Sequence, residues 1–308
     1  MTVQESALPG ARSTPVAARG RIASYVRLLR VRQWIKNGFV LAGVFFSEQL
    51  LHASTALHSI AAALAFCFAS SAIYVFNDIV DRKADAAHPE KRDRPLVTGE
   101  IKVRDASIVA FGFLAASAAV IAVVGFMWHV SAIIAAYVVV NIAYSLWLKH
   151  LAIVDVAVIA SGFVLRLEAG IYAVRVRPSS WIVLCTGLLS LFLAFAKRRG
   201  DLVMEQETNR RSLKGYTIPY LDQVLGMMGA ATVVVYALFT VSGYAQNRFH
   251  APLLYLTTFP VVLGLLRYMQ ITLVEGRYAS PAEVVLRDRP LQLTIAIWLG
   301  MFFLLTYR

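Results

Sequence analysis

ALHSIAAALAFCFASSAIYVFNDIVDRKAD, residues 56–85, decides how the rest of the chain is read. From Ala56 to Phe76 it is apolar for about twenty residues, the length a helix needs to cross the hydrocarbon core of a bilayer. It then turns charged, as Asn77-Asp78-Ile79-Val80-Asp81-Arg82-Lys83-Ala84-Asp85. On a continuing helix Asp78, Asp81 and Asp85 share a narrow arc of one face. Three carboxylates so placed repel one another unless cations sit between them. Hard oxygen ligands that leave a coordination shell partly open suit Mg²⁺, which is commonly shared between carboxylates and substrate phosphates. The cluster falls where a membrane ends and water begins. The stretch therefore predicts an enzyme that handles a water-soluble diphosphate beside a lipid.

Outward from this stretch the composition agrees. The 308 residues are 58% hydrophobic, with mean hydropathy +0.64. A soluble domain needs far less apolar content, so the expected class is an all-α integral membrane protein. Nine spans are predicted around a central cavity: roughly 33–50, 56–76, 107–127, 128–148, 153–173, 179–196, 223–243, 252–273 and 291–307. The first is the weakest, because Lys36 and Asn37 interrupt it and Glu48 closes it. The third and fourth run together through Met127-Trp128-His129, a short turn with an interfacial Trp. Residues 1–26 are expected to be a disordered cytoplasmic tail and 27–308 a single transmembrane domain. The first twenty residues mix Ser, Pro, Ala and Arg without periodicity and lack the apolar stretch of a signal peptide. Cys67 and Cys185 fall inside predicted spans and read as packing residues, implying neither a disulfide nor a zinc site.

The net charge of +12 is mostly topology. The loops after the second, fourth, sixth and eighth spans hold seventeen Lys and Arg residues, against three in the loops after the odd spans. Basic residues stay on the cytoplasmic side, so the N-terminus and the even loops are predicted to face the cytoplasm, in an inner membrane. Nucleic acid is not the expected partner. Self-association is left open.

Two of the cytoplasmic loops match in plan. The first carries Asp78, Asp81, Asp85, Lys91, Arg92, Arg94, Lys102 and Arg104. The second begins Lys197-Arg198-Arg199-Gly200-Asp201-Leu202-Val203-Met204-Glu205 and continues through Arg210, Arg211, Lys214 and Tyr216. Asp201 and Glu205 lie one helical turn apart on a shared face. Acids for a metal, with Lys and Arg for phosphate oxygens, are the mixture that a diphosphate site requires. Acid-bearing helix ends four spans apart suggest two similar halves closing on one cavity.

The first motif, Asn77-Asp78-x-x-Asp81-x-x-x-Asp85 followed by Arg92-Asp93-Arg94-Pro95-Leu96 and Gly99, resembles the first aspartate-rich motif of the UbiA prenyltransferase superfamily. Asp201-x-x-x-Glu205 stands where that superfamily has its second. Further blocks resemble its decaprenyl-phosphate phosphoribosyltransferase branch: Arg32-Gln33-Trp34-Ile35-Lys36-Asn37, His88-Pro89-x-Lys91-Arg92, Tyr144-Ser145-x-x-Leu148-Lys149-His150, Ser212-x-x-x-Tyr216-Thr217 and Leu286-Arg287-Asp288-Arg289-x-Leu291-Gln292-Leu293. The resemblance runs from Arg27 onward. Asp/Glu in place of a second pair of aspartates fits this branch better than the quinone-forming ones, while Glu168 departs from an apolar position.

The resemblance implies transfer of 5-phosphoribose from phosphoribosyl diphosphate to a polyprenyl phosphate, an early step towards a lipid-linked arabinose donor for cell-wall arabinan or arabinosylated nodulation signals. Asp78 and Asp81, with Asp85 in support, are expected to hold Mg²⁺. Asn77 is expected to bond donor or metal water, and Lys91, Arg92 and Arg94 to grip the diphosphate. Lys197, Arg198, Asp201, Glu205, Lys214 and Tyr216 are expected to form the opposite wall. Lys36 and Asn37 stand where a prenyl phosphate head would enter, and Tyr144 and Lys149 line the site. An aromatic prenyltransferase of quinone or haem biosynthesis is the alternative within the superfamily. A secondary transporter is the alternative outside it, disfavoured because transporters keep their ionisable groups near the midplane. Arg166, deep on the fifth span, is expected to pair with an acid on a neighbouring helix, and Arg287-Asp288-Arg289 to be salt-bridged or to lie over the donor.

Overall fold

Long runs of Ala, Val, Leu, Ile and Phe have no water to satisfy their backbone in a bilayer, and helices satisfy it internally. The computed structural model, which describes residues 20–87, 91–125, 127–207, 215–276 and 280–307, contains helices and turns and, among those residues, no strand. The helices are α1 (Arg21–Leu28), α2 (Gly38–Phe46), α3 (Ala53–Val80), α4 (Arg82–Ala86), α5 (Val103–Val123), α6 (Trp128–Leu146) and α7 (Val154–Ala173). They continue with α8 (Ser180–Glu207), α9 (Ile218–Val241), α10 (Gly243–Phe249), α11 (Thr258–Leu273), α12 (Pro281–Arg287) and α13 (Arg289–Thr306). The structure is an all-helical multi-pass membrane fold.

Among the described residues seven helices are long and apolar enough to cross a membrane, beginning with Ala53–Val80 and ending with Arg289–Thr306. Two of the nine predicted spans depart from that description. The fifth, α7, is a full 20-residue helix, but Asp155, Arg166 and Glu168 lower its apolar content. The first is not one helix. Val31–Asn37 forms a 3-10 segment, and only Gly38–Phe46 continues as α2. Two polar side chains of 31–37 have partners that a lipid-facing helix would deny them. Trp34 Nε1 donates to Ser71 Oγ at 2.9 Å, and Asn37 Nδ2 donates to Ser70 Oγ at 3.2 Å.

Two apolar clusters carry the packing. One gathers Val40, Phe66, Ile73, Ile134 and Tyr137 from α2, α3 and α6. The other gathers Phe192, Leu221, Leu225, Tyr268, Ile271 and Leu291 from α8, α9, α11 and α13. Helix α7 contributes Ala169 and Ala173 to the first and Val156 to the second, so it is the seam between two halves. Against α7, α2 is pressed backbone to backbone. A Cβ on Gly170 would lie 1.8 Å from the carbonyl oxygen of Val40, and one on Gly43 would lie 2.3 Å from the carbonyl carbon of Gly170. Helix α1 begins inside the stretch expected to be tail. It is tied to the loop below α3 by Arg27 Nη2 donating to Glu100 Oε2 at 2.5 Å and by Ser24 donating to the same oxygen. Those contacts, with the Ser24 hydroxyl foremost, hold the Glu100 carboxyl below its ordinary range.

Candidate active site

The acids converge at one end of the bundle because three elements terminate there. Helix α3 ends at Val80, and Asp81, with φ −86° and ψ 0°, caps it and opens the short α4 that carries Asp85. Asp78 and Asp85 are buried, and one nitrogen joins them. Arg94 Nη1 donates to Asp78 Oδ1 at 2.9 Å and to Asp85 Oδ2 at 2.5 Å. Arg30, held in a left-handed turn at the head of the 3-10 segment, donates to the same Asp78 oxygen and lies over the Tyr74 ring. Lys91 Nζ stands 3.9 Å from Asp85 Oδ1.

Asp81 takes a different partner. The break at Val80 turns it towards the α6–α7 connection, where it accepts from Lys149 Nζ. The expected single face of three carboxylates is thus two groups, Asp78 with Asp85 and Asp81 with Lys149. Among the described residues no three His, Cys, Asp or Glu side chains converge as ligands of one metal ion. The donor chemistry nevertheless suits Mg²⁺. Asp78 and Asp85 offer hard oxygens on either side of one cationic nitrogen, and Asp81 and Asn77 stand beside them.

The second acid motif opens from α8. Asp201 accepts from Lys197 Nζ at 3.0 Å and from Arg198 Nη1 at 3.3 Å. Arg198 reaches further, with Nη2 donating to Tyr144 Oη at 3.2 Å and Nε 2.7 Å from Asp155 Oδ2 in a charge contact. Asp155 is buried and also accepts from Tyr216 Oη at 2.7 Å. Burial, then that bond to Asp155, pushes the Tyr216 phenol up to about 12, so it stays a neutral donor. Tyr216 Oη in turn accepts from the backbone N–H of Ile153 at 2.6 Å. Ile153 has φ +70°, a strained value for a β-branched residue. Tyr144, Lys197, Arg198, Asp201, Asp155 and Tyr216 are thus linked in one group, while Lys149 stands with Asp81. Asn77 is half-buried at the end of α3 and Arg92 is exposed. The side chain of Glu205 and the whole of Lys214 lie outside the described residues.

Below this layer sits a third group. Arg166 is buried and meets no acid among the described residues, contrary to the expected pairing. Its Nε donates to Asn37 Oδ1 at 2.7 Å, Nη1 to the Gly162 carbonyl at 2.7 Å and Nη2 to Tyr137 Oη at 3.0 Å. Asn37 is buried, its amide committed to Arg166, Ser70 and Cys67, so it shapes the wall instead of offering free donors to a ligand. Sequence reasoning passed over Arg30, whose only signal was a charged residue just before an apolar run.

Arg287-Asp288-Arg289 is structural. Asp288 pairs with Arg267 at 2.6 Å and caps α13 through the Leu291 N–H at 2.9 Å, while Arg287 pairs with Glu283 at 2.5 Å. Cys67 and Cys185 are free thiols.

The fold and this charged end define a polytopic helical membrane protein with its chemistry gathered on one side of the bundle. The model of the UbiA prenyltransferase family matches residues 38–305, and the chain belongs to that family of membrane transferases. It is 34% identical to a decaprenyl-phosphate phosphoribosyltransferase of Mycolicibacterium smegmatis, over 94% of each chain. It is 31% identical to one of Corynebacterium glutamicum, over 92% of this chain and 86% of that one. A more distant relative, nodulation protein NoeC of Azorhizobium caulinodans, is 26% identical over 75% of this chain and 76% of that one. In fold the chain is similar to a UbiA homolog from Archaeoglobus fulgidus bound to GPP and Mg²⁺, with TM-score 0.68, 21% identity, and coverage of 92% of this chain and 100% of that one.

Proposed function

We propose that the protein transfers 5-phosphoribose from phosphoribosyl diphosphate to a polyprenyl phosphate, releasing diphosphate, as an early step towards a lipid-linked arabinose donor. The observation that carries this reading is a membrane fold with two acid-and-cation groups at one end, in a chain similar over nearly its full length to decaprenyl-phosphate phosphoribosyltransferases. The likeness to NoeC is compatible with an arabinosylated nodulation product.

Asp78 and Asp85 would hold Mg²⁺, with Asp81 in support, and the ion would supply charge neutralisation for the departing diphosphate. Arg30, Arg94, Lys91 and Arg92 hold diphosphate oxygens, and Asn77 donates to the donor or to metal-bound water. Lys149 keeps Asp81 in place through their ion pair. On the other wall Asp201 accepts ribose hydroxyls, and Lys197 and Arg198 neutralise the 5-phosphate, with Glu205 and Lys214 assigned to the same wall. Tyr144 and Tyr216 fix Arg198 and Asp155. In the transfer an acceptor phosphate oxygen bonds to the ribose anomeric carbon while the carbon–oxygen bond to diphosphate breaks, its electron pair leaving with the diphosphate. The acceptor is already an anion, so the site needs no strong general base. The site faces the cytoplasm of an inner membrane, where the donor is made.

The test is purified full-length protein given labelled phosphoribosyl diphosphate, a polyprenyl phosphate and Mg²⁺, with a chelator control. Label in the lipid fraction, lost with chelator, supports the reading. Prenylation of 4-hydroxybenzoate, or solute flux in vesicles without chemistry, overturns it.

A further inference from the structure

The connection between α6 and α7 touches both walls of the site. Its Lys149, in the 3-10 turn Leu148–His150, pairs with Asp81 of the first wall. A few residues on, the chain meets the second wall. The backbone N–H of Ile153 donates to Tyr216 Oη at 2.6 Å, and that phenol donates to Asp155 Oδ1 at 2.7 Å. The other carboxylate oxygen of Asp155 stands 2.7 Å from Arg198 Nε. Gly215 passes so close that a Cβ on it would lie 2.8 Å from the Cβ of Ala152, and its φ of +101° suits glycine. Ile153 holds φ +70°, a conformation that persists in a β-branched residue only where its surroundings impose it. Asp155 is 3% exposed. A carboxylate so buried is costly unless charge and hydrogen bonds answer it. Here a guanidinium on α8 answers one oxygen, and a phenol just before α9 answers the other.

We propose that Asp155 is a positioning residue for the phosphoribosyl donor: it draws the Arg198 guanidinium away from Asp201 and so keeps it open to the 5-phosphate. The assignment rests on the transfer reading above and adds the residue that sets the second wall. Arg198 is held from three sides, by Asp155 at Nε, by Asp201 Oδ2 at 3.3 Å from Nη1 and by Tyr144 Oη at 3.2 Å from Nη2. Asp155 and Asp201 thus compete for one cation. Asp155 is the nearer of the two, and Asp201 also has Lys197 at 3.0 Å. Without the pull of Asp155 the guanidinium settles onto Asp201 as a two-nitrogen fork, and a fork already paired offers less to a phosphate. Tyr216 keeps the Asp155 carboxylate from turning through its bond to the far oxygen, and the Ile153 N–H fixes Tyr216. Lys149 ties the same connection to Asp81, so one short segment relates the two walls. Asp155 itself touches neither substrate. A passive counter-charge at this position predicts the opposite sign, because removing a negative charge near a phosphate site tightens phosphate binding by field alone.

The test compares the full chain in detergent, with Mg²⁺, with Asp155→Asn, which keeps the side-chain shape and an acceptor for Tyr216 but removes the charge that holds Arg198. KM for phosphoribosyl diphosphate is expected to rise about tenfold, while kcat and KM for the polyprenyl phosphate stay within about twofold. Titration calorimetry with phosphoribosyl diphosphate and no acceptor should show the same loss of donor affinity. Tyr216→Phe should shift donor affinity in the same direction by a smaller factor. The double variant should fall short of the product of the two single effects, because both act on one carboxylate. If Asp155→Asn does not fold, Tyr216→Phe decides. Donor affinity that is unchanged or tighter in Asp155→Asn overturns the positioning role. So does a lowered unfolding midpoint with kcat and both KM values impaired alike, which is the mark of a purely structural residue. A wild type that binds the donor but transfers nothing overturns the transfer reading, and the calorimetric comparison then still decides for or against Asp155. A wild type that does not bind the donor overturns both.

Discussion

At the scale of single residues, Arg94 is the pivot of the candidate site. One of its nitrogens neutralises two buried carboxylates that would otherwise repel each other. Removing it leaves two acids facing one another with, among the described residues, Arg30 and Lys91 as their remaining cationic partners. Arg94→Ala is expected to cost about 2 kcal/mol of stability, below the value for a fully buried pair because Arg94 is 23% exposed. Mg²⁺ should restore more stability to this variant than to the wild type, because a divalent cation can take over the bridging position. Thermal unfolding in detergent with and without Mg²⁺ checks this, and an equal metal shift in both proteins counts against a metal between Asp78 and Asp85. Asp78→Asn keeps the shape and removes the charge. It should lower transfer by about a hundredfold or more while leaving the unfolding midpoint near that of the wild type. Retained turnover in Asp78→Asn would remove this carboxylate from the metal assignment.

At the scale of elements, the 3-10 segment and α2 decide where the site's floor lies. They reach α7 only because Gly43 and Gly170 carry no Cβ at the crossing. A methyl group at 170 would overlap the Val40 carbonyl, and backbone has no rotamer with which to retreat. Gly170→Ala should therefore destabilise the protein by about 3 kcal/mol. Gly112→Ala on α5 makes the control, since nothing lies within 4 Å of a Cβ there. It should be neutral or slightly stabilising through the better helix propensity of Ala, by less than about 1 kcal/mol. Comparing the two variants' unfolding midpoints in one detergent tests this, and similar values would mean that the α2–α7 contact is looser than described. A displaced α2 would also carry Asn37 away from Arg166.

At the scale of the whole molecule, two apolar clusters are joined at α7, and the chemistry stands at the end of the bundle where α3, α6, α7 and α8 meet. The excess of Lys and Arg in the loops at that end predicts that it faces the cytoplasm. Thr98→Cys, in the loop below α3, and Arg175→Cys, at the opposite end after α7, make the test. A membrane-impermeant thiol reagent applied to intact cells should label Arg175→Cys at once and Thr98→Cys only after permeabilisation. The reverse pattern would put the site on the outer face.

The chain by itself determined the helical membrane class, eight of the nine segments as helices, and most of the side chains that now line one end of the bundle. Those features rest on local physics. Apolar length sets a span, and acids and bases cannot rest in lipid, so they collect where spans stop. The remainder needed the folded chain. Lys36 and Asn37 interrupt an apolar run, and periodicity alone took the whole run for a span. Tertiary partners, Ser70, Cys67 and Arg166, let it break into a 3-10 segment and a short helix. The aspartates looked like one face because a helix was continued through them. The cap at Asp81 separates them, and Lys149 and Arg94, distant in sequence or across a loop, choose which carboxylate each neutralises. Arg166 was expected to find an acid and found an amide, a carbonyl, a phenol and aromatic faces instead. Pairing of charges across elements depends on distances between helices that no local pattern encodes, so those partners were settled only in three dimensions.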